Sequence, residues 1–388
     1  MILGEVVSWS YHLPDDSASG SPMIERLYID NFRTLVNFEW KPGKIALLLG
    51  ANGSGKSSVI DALWAVRTLV VDQAEVRRCF PSASRARWEK RLESTVEFDV
   101  RIEEQSFTYK LVIEHSNEEP QKSRVSRETL SSDGELLMDF NKGELHFVRD
   151  GSKGGPVVDT DTARSGLGRL APRRDTKRLA AFKDWLRSDL WFLRPDPRAM
   201  TSRTDEDIDW LAPNLSNFAS WLPLWMAQDF SATMRSTQAL QKALDGFQAL
   251  QVSRTAPRLE AHFVLADGGN YNLDFTELSD GQRQLCGLYF LRHAVLQPGR
   301  LVIFDEPDNY VALREIQPWL AEVTDLSLST GGPQLWFASH HPELLNQLAP
   351  TYGTTFFRDR GGPTRVRPFV GAEGLSAAEA VARGWDDE

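Results

Sequence analysis

The chain has 388 residues, 41% of them apolar and 25% charged; at roughly 150 residues per domain this means two or three packed lobes around a sizeable core, not a disordered chain. Its 54 acidic residues outnumber 44 basic ones, for a formal charge of −10, so any contact with nucleic acid requires a local basic face. No apolar run approaches the roughly 18–20 residues of a membrane helix, and no basic n-region opens the N-terminus. Two cysteines, Cys79 and Cys286, give neither a disulfide framework nor metal-ligand spacing. A reduced, cytoplasmic protein without membrane contact is expected.

Residues 1–22 read as a loose extension or the product of an upstream start codon, and Met23 opens a better-patterned segment. From Ile24 apolar and polar residues alternate as in a half-buried strand, with VNFEW (36–40) as its hairpin partner. KIALLLG (44–50) reads as a buried central strand ending in glycine, and 57–70 as a helix with Val59, Ile60, Leu63 and Trp64 at helical spacing. STVEFDVRI, FTYKLVIEH and ELLMDF form a β-rich stretch ending near residue 150. Residues 176–250 read as helical, chiefly DWLRSDLWFL, NLSNFASWLPLWMAQDF and TMRSTQALQKALDGF; the 214–246 helices, with few charges and few heptads, should pack as a compact lobe, not a projecting coiled coil. LEAHFVLA and YNLDF form a hairpin across Asp267-Gly268-Gly269-Asn270. From 277 onward helices and buried strands alternate as in a doubly wound sheet. Ser376-x-x-Glu379 is a capping box for a short last helix closing at Gly384.

Gly50-Ala51-Asn52-Gly53-Ser54-Gly55-Lys56-Ser57 fits the pattern GxxxxGK[ST], with Ser58 following, between a buried strand and a helix. Its glycines let the backbone wrap phosphates while the helix N-terminus adds partial positive charge. Lys56 would reach the β- and γ-phosphates of ATP and the Ser57 hydroxyl would ligate Mg²⁺. The run Leu301-Val302-Ile303-Phe304-Asp305-Glu306 delivers two carboxylates at a strand's C-terminal end, where an open α/β sheet places its ligand. Asp305 would hold Mg²⁺ and Glu306 would polarise the attacking water.

Leu278-Ser279-Asp280-Gly281-Gln282 lies between these two motifs, ahead of an amphipathic helix. This run resembles the LSxGQ signature of ABC-type ATPases, Asp305-Glu306-Pro307-Asp308-Asn309 resembles their Walker B and D-loop (with Asp308 in the D-loop), and Ser339-His340 resembles their switch histidine. His341 competes for that role, but the spacing to Pro342 favours His340. The start, IERLYIDNFRTL…LLLGANGSGKSSVIDAL, is similar to the RecF/SMC/OLD branch. The resemblance is anchored at about 24–65 and 276–345, and more loosely at Thr364-Arg365-Val366-Arg367.

It implies an α/β fold: an ABC-ATPase-like P-loop head with a β-rich N-terminal lobe and an inserted helical lobe. The expected division is 1–22 extension, 23–170 N-terminal half of the head, 171–255 helical insertion and 256–388 C-terminal half. It also implies a homodimer in which Ser279, Gly281 and Gln282 of one head meet the γ-phosphate bound by the other. A helix cap at Ser279 or Asp280 explains part of this motif, but a cap alone calls for neither Gly281 nor Gln282. The family's Q-loop glutamine has no match here, Gln73 and Gln105 both fitting poorly. Arg33 matches a basic residue that lies near the nucleotide in relatives, or is an exposed strand-end arginine. The resemblance implies an ATPase in anti-phage defence or DNA maintenance, with a separate nuclease or toxin effector, since a nuclease of the TOPRIM type does not fit after His341. The rival readings are an ATP-dependent clamp or scaffold with slow turnover, and a transporter ATPase subunit.

Basic islands at 76–91 and 164–198 offer DNA contacts, solvated faces or partner docking. Five tryptophans between 185 and 225 read as core or as a partner surface. Asp205-Glu206-Asp207-Ile208-Asp209 starts like a calcium loop, but Trp210 stands where the glycine must be, which excludes an EF-hand.

Overall fold

The computed structural model describes residues 23–116, 119, 122–152, 155–171, 173–204 and 208–384; the extension 1–22 and most of the acidic run, 205–207, lie outside them. β1 (Ile24–Asp30) buries alternate side chains and pairs antiparallel with β2 (Phe38–Trp40), Leu27 opposite Trp40. β3 (Ile45–Leu49) is buried at every position, and α1 (Lys56–Val71) and the short α2 (Val76–Cys79) follow. Next come β4 (Glu93–Ile102), β5 (Gln105–Glu114), β6 (Arg124–Ser132), β7 (Glu135–Asn141), β8 (Glu144–Phe147) and β9 (Val157–Asp159). Together they make an antiparallel sheet of order β2-β1-β4-β5-β6-β7-β8-β9.

α3 (Gly166–Arg169) and α4 (Lys177–Asp184) lead through a π-turn at Trp185–Asp189 into β10 (Leu190–Leu193). The helical reading of DWLRSDLWFL therefore fails in its second half: LWFL is a strand, pairing parallel with β14 (Leu301–Asp305) from Leu190 opposite Leu301 to Leu193 opposite Phe304. Four residues of aromatic and aliphatic character carry no period of their own, and a partner strand far along the chain decides their state.

α5 (Phe218–Gln228) and α6 (Phe230–Ala243) form the helical part, and β11 (Phe247–Val252), β12 (Leu259–Val264) and β13 (Asn270–Asp274) a small antiparallel sheet. α7 (Asp280–Ala294), β14, α8 (Leu313–Leu328), β15 (Gln334–Ala338), α9 (Pro342–Tyr352), β16 (Gly353–Arg358), β17 (Thr364–Pro368) and α10 (Ala377–Ala382) complete the alternation. The central sheet has the order β10-β14-β15-β3-β16-β17; its first five strands are parallel and β17 is antiparallel to β16.

Two apolar cores flank that sheet. Ala46, Leu48, Ile303 and Trp336 point into one, shared with α1 and the antiparallel sheet; Leu47, Leu49, Phe304 and Phe337 point into the other, shared with α5 to α9. Strands covered on both faces must be apolar throughout, which is why IALLL and LVIF read so plainly. Trp185 and Trp221 are core and Trp191 and Trp225 pack against it, whereas Trp210 is 60% exposed. Among the described residues no helix is long and apolar enough to cross a membrane.

Candidate nucleotide site

The loop between β3 and α1 can follow its path only because two positions are glycine. Gly50 has φ +126° and a Cβ there would lie 2.1 Å from the Phe356 carbonyl oxygen; Gly55 has φ +114° and a Cβ would lie 2.4 Å from Thr364 Oγ1. The Thr364 hydroxyl braces the loop from outside, 2.8 Å from both the Ser54 carbonyl and the Thr34 hydroxyl. This gives the first residue of the TRVR segment a structural task. The result is a cradle of backbone at the N-terminus of a sixteen-residue helix, the geometry that takes phosphate.

The structure brings Arg33, residues 52–58, Asp305, Glu306, Ser339 and His340 around one cavity of about 330 Å³ at the carboxyl edge of the parallel sheet. Gly50 stands behind the loop against β16. Ala51 faces a neighbouring cavity of about 560 Å³ that also carries Phe357, Arg358 and Arg367. Lys56 donates to the carbonyls of Gly50 and, at 3.3 Å, Ala51; burial draws its pKa down, opposed by the charges of Asp305 and Glu306. Arg33, at φ +52°, is paired with Asp61 of α1 and lies 5.4 Å over the Phe32 ring, so it is both near the cavity and engaged elsewhere.

Glu306 adopts φ +52°, a left-handed conformation costly for a non-glycine residue and concentrated at functional sites. Its N–H donates to the Ala338 carbonyl at 2.8 Å and its Oε2 accepts from Asn309 Nδ2 at 2.8 Å. Asp308 is 3% exposed and does not reach the cavity. It accepts from Ser339 Oγ at 2.6 Å, which fixes the turn that presents the exposed His340. Burial pushes the Asp308 pKa up. His341 points elsewhere: it caps α9, its Nδ1 accepting from the Glu343 N–H at 3.3 Å.

The residues present fit a nucleotide and Mg²⁺. Ser54 Oγ is buried at the loop without a hydrogen-bond partner in the protein. Ser57 and Asp305 supply hard oxygen donors from two elements, and Mg²⁺ is commonly held by one or two protein oxygens together with substrate phosphates. Among the described residues no three His, Cys, Asp or Glu side chains converge as a metal cage. Burial raises the Asp305 pKa, and the guanidinium of Arg194 opposes this from 3.6 Å. Sequence reasoning counted Arg194 only as part of a basic island; the signal missed was β10, whose end sets it beside Asp305. Gln73 and Gln105 lie outside the residues lining the cavity.

Ser279 caps α7 in a full capping box: its Oγ accepts from the Gln282 N–H at 3.2 Å and its own N–H donates to Gln282 Oε1 at 3.0 Å. Gly281 is needed within the chain, since a Cβ would lie 2.7 Å from the Tyr310 carbonyl oxygen. The expectation that a cap has no use for Gly281 and Gln282 is thus corrected, because both serve local geometry. None of the three lines the phosphate cavity, and Ser279 is exposed.

Part of the charge of the basic islands is paired at short range. Arg91 pairs with Asp30 and Glu89, Arg77 with Glu75, Arg169 with Asp161, Arg178 with Glu135 and Asp150, and Arg198 with Asp280. Lys183 is buried, donating to the Gly168 carbonyl at 3.1 Å.

Residues 45–346 match the family described as "AAA domain, putative AbiEii toxin, Type IV TA system". The chain belongs to this AAA-domain family. Its fold is similar to that of an SMC head solved bound to the C-terminal winged-helix domain of ScpA, with 14% identity, a TM-score of 0.55, and coverage of 92% of this chain and 100% of that one. An SMC head domain from Thermotoga maritima, 13% identical with a TM-score of 0.46, covers 90% of this chain and 100% of its own. No curated protein matches. The family match makes this an AAA domain, and its α/β fold is like that of an SMC head, the fold the motifs led us to expect.

Proposed function

We propose that the protein binds ATP with Mg²⁺ and hydrolyses it, working as an ATP-gated homodimer of the RecF/SMC/OLD-like kind. One observation carries this: the P-loop, the Asp305-Glu306 pair and His340, from three separated parts of the chain, meet around a single cavity. Lys56 and the first N–H groups of α1 hold the β- and γ-phosphates, while Ser57 and Asp305 are the residues that would hold Mg²⁺. When bound, the metal neutralises charge on the phosphate oxygens. Glu306 orients a water in line with the γ-phosphorus and takes its proton as the new P–O bond forms and the β–γ bridge breaks, and His340 steadies the transferred group. The aromatic and cationic cavity beside Ala51 has room and stacking surface for the base.

The family description names a putative toxin of a type IV toxin–antitoxin system. That description and the SMC-like fold support a role in anti-phage defence or DNA maintenance; a separate nuclease or toxin effector is the partner we propose. DNA remains a candidate ligand of the basic islands, with less uncommitted charge than their sequences suggest. Phosphate release from ATP tests the hydrolytic reading. Glu306→Gln should keep ATP binding and lose at least about 10²-fold in turnover, the lower end of a general-base contribution. Turnover equal to the unaltered protein would remove Glu306 from the mechanism.

A further inference from the structure

Asp305 and Glu306 border two cavities. Lys56 approaches them from the P-loop side; from the other, a cavity of about 330 Å³ is lined by Arg194, Asn214, Asp305, Glu306, Asn309 and Tyr310. Arg194 stands at the C-terminal end of β10, one residue past the Leu193–Phe304 register pair, so the sheet itself puts it alongside Asp305. Its backbone is fixed, with the N–H donating to the Pro213 carbonyl at 2.8 Å and, two residues on, Asp196 N–H donating to the Asn214 carbonyl at 3.1 Å. Its side chain is 71% exposed, and the contact it makes is Nε to Asp305 Oδ2 at 3.6 Å. With the guanidinium this exposed and the contact this long, Arg194 is free to leave once another cation takes its place on the half-buried carboxylate. We propose that Arg194 is a terminal-phosphate sensor, held on Asp305 until a divalent cation claims that carboxylate and then turning its guanidinium to the γ-phosphate.

The chemistry follows from charge and shape. A cation on Asp305 removes the reason for Arg194 to stay there and repels it, and the open cavity gives the side chain room to swing from its fixed backbone. A guanidinium presents a planar fork that matches two phosphate oxygens, which an ammonium cannot do. Lys56 and the α1 N-terminus hold the β- and γ-phosphates from the loop side, and only a third phosphate brings oxygens to the carboxylate pair within reach of Arg194. Arg194 therefore distinguishes ATP from ADP.

This inference rests on the ATP-binding reading, and the test separates the two. Binding of ADP and of the non-hydrolysable imidodiphosphate analogue of ATP, each with Mg²⁺, is measured by calorimetry for the unaltered protein, Arg194→Ala and Arg194→Lys. The expected result is analogue binding weakened about 10- to 100-fold in Arg194→Ala, the range of hydrogen bonds to a charged group. ADP binding should stay within about twofold, and Arg194→Lys should recover part of the loss. Without nucleotide, Mn²⁺ followed by electron paramagnetic resonance should bind Arg194→Ala more tightly, because a competing cation has gone. Equal effects on both nucleotides, or none on either, would overturn the sensor while leaving the site intact. Failure of the unaltered protein to bind either nucleotide would overturn both readings.

Discussion

His115 is buried between two hydroxyls, with Nε2 2.9 Å from Ser94 Oγ and Nδ1 3.0 Å from Ser123 Oγ. Ser94 spends its own proton on the Asn31 carbonyl, so it accepts from Nε2–H, and Nδ1 is left to accept from Ser123. Burial, aided by the charge of Arg85, pulls this histidine down to about 4. In the unfolded chain it titrates near 6.5. Below pH 6.5 the unfolded state therefore takes up a proton that the folded state refuses, and stability falls as the pH drops from 6.5 towards 4. The loss reaches at most about 3 kcal/mol from this one group. Urea unfolding across that range should show a flatter profile for His115→Gln than for the unaltered protein; parallel profiles would contradict the assignment. His293, also pulled to about 4, acts in the same direction in both proteins and drops out of the difference. That Lys56, Asp305, Glu306 and His340 belong to one candidate site was legible because each sits in a short motif. His115 and Arg194 were not, since their partners come from other strands.

At the scale of elements, the turn from Leu278 into α7 carries two explanations at once. Packing against the Tyr310 carbonyl explains Gly281, and the capping box explains Gln282. Gly281→Ala should then destabilise the protein by roughly 1–3 kcal/mol, as overpacking against backbone does, read as a lowered unfolding midpoint. Unchanged stability with lost ATP-dependent association would instead assign Gly281 to a partner's phosphate. The buried strands were legible because both faces are covered and every residue is apolar. β6 was not: Glu128 on it is fully buried, accepting from Tyr109, Ser165 and the Gly166 N–H, so a core position reads as polar. α9 follows a three-residue turn, Ser339 to His341, in which His341, weighed in the sequence as a switch histidine, is a helix cap.

On the scale of the whole molecule, α1 and the phosphate cradle lie between the central sheet and the antiparallel sheet, and α7 lies in the opposite core. Ser279 therefore lies away from the lining of its own phosphate cavity and keeps an exposed hydroxyl. The α/β alternation and the SMC-like architecture were readable from motif order. The extent of the antiparallel sheet was not, because its outer strands are short and its pairing depends on distant segments. The central claim, two heads sharing ATP, is tested most directly by phosphate release from ATP in a mixture of Ser279→Arg and Lys56→Ala. Each variant alone should be inactive. Mixed, they should recover partial turnover, because one composite site in each mixed dimer keeps both Lys56 and Ser279. A mixture as inactive as its two components would contradict the shared site.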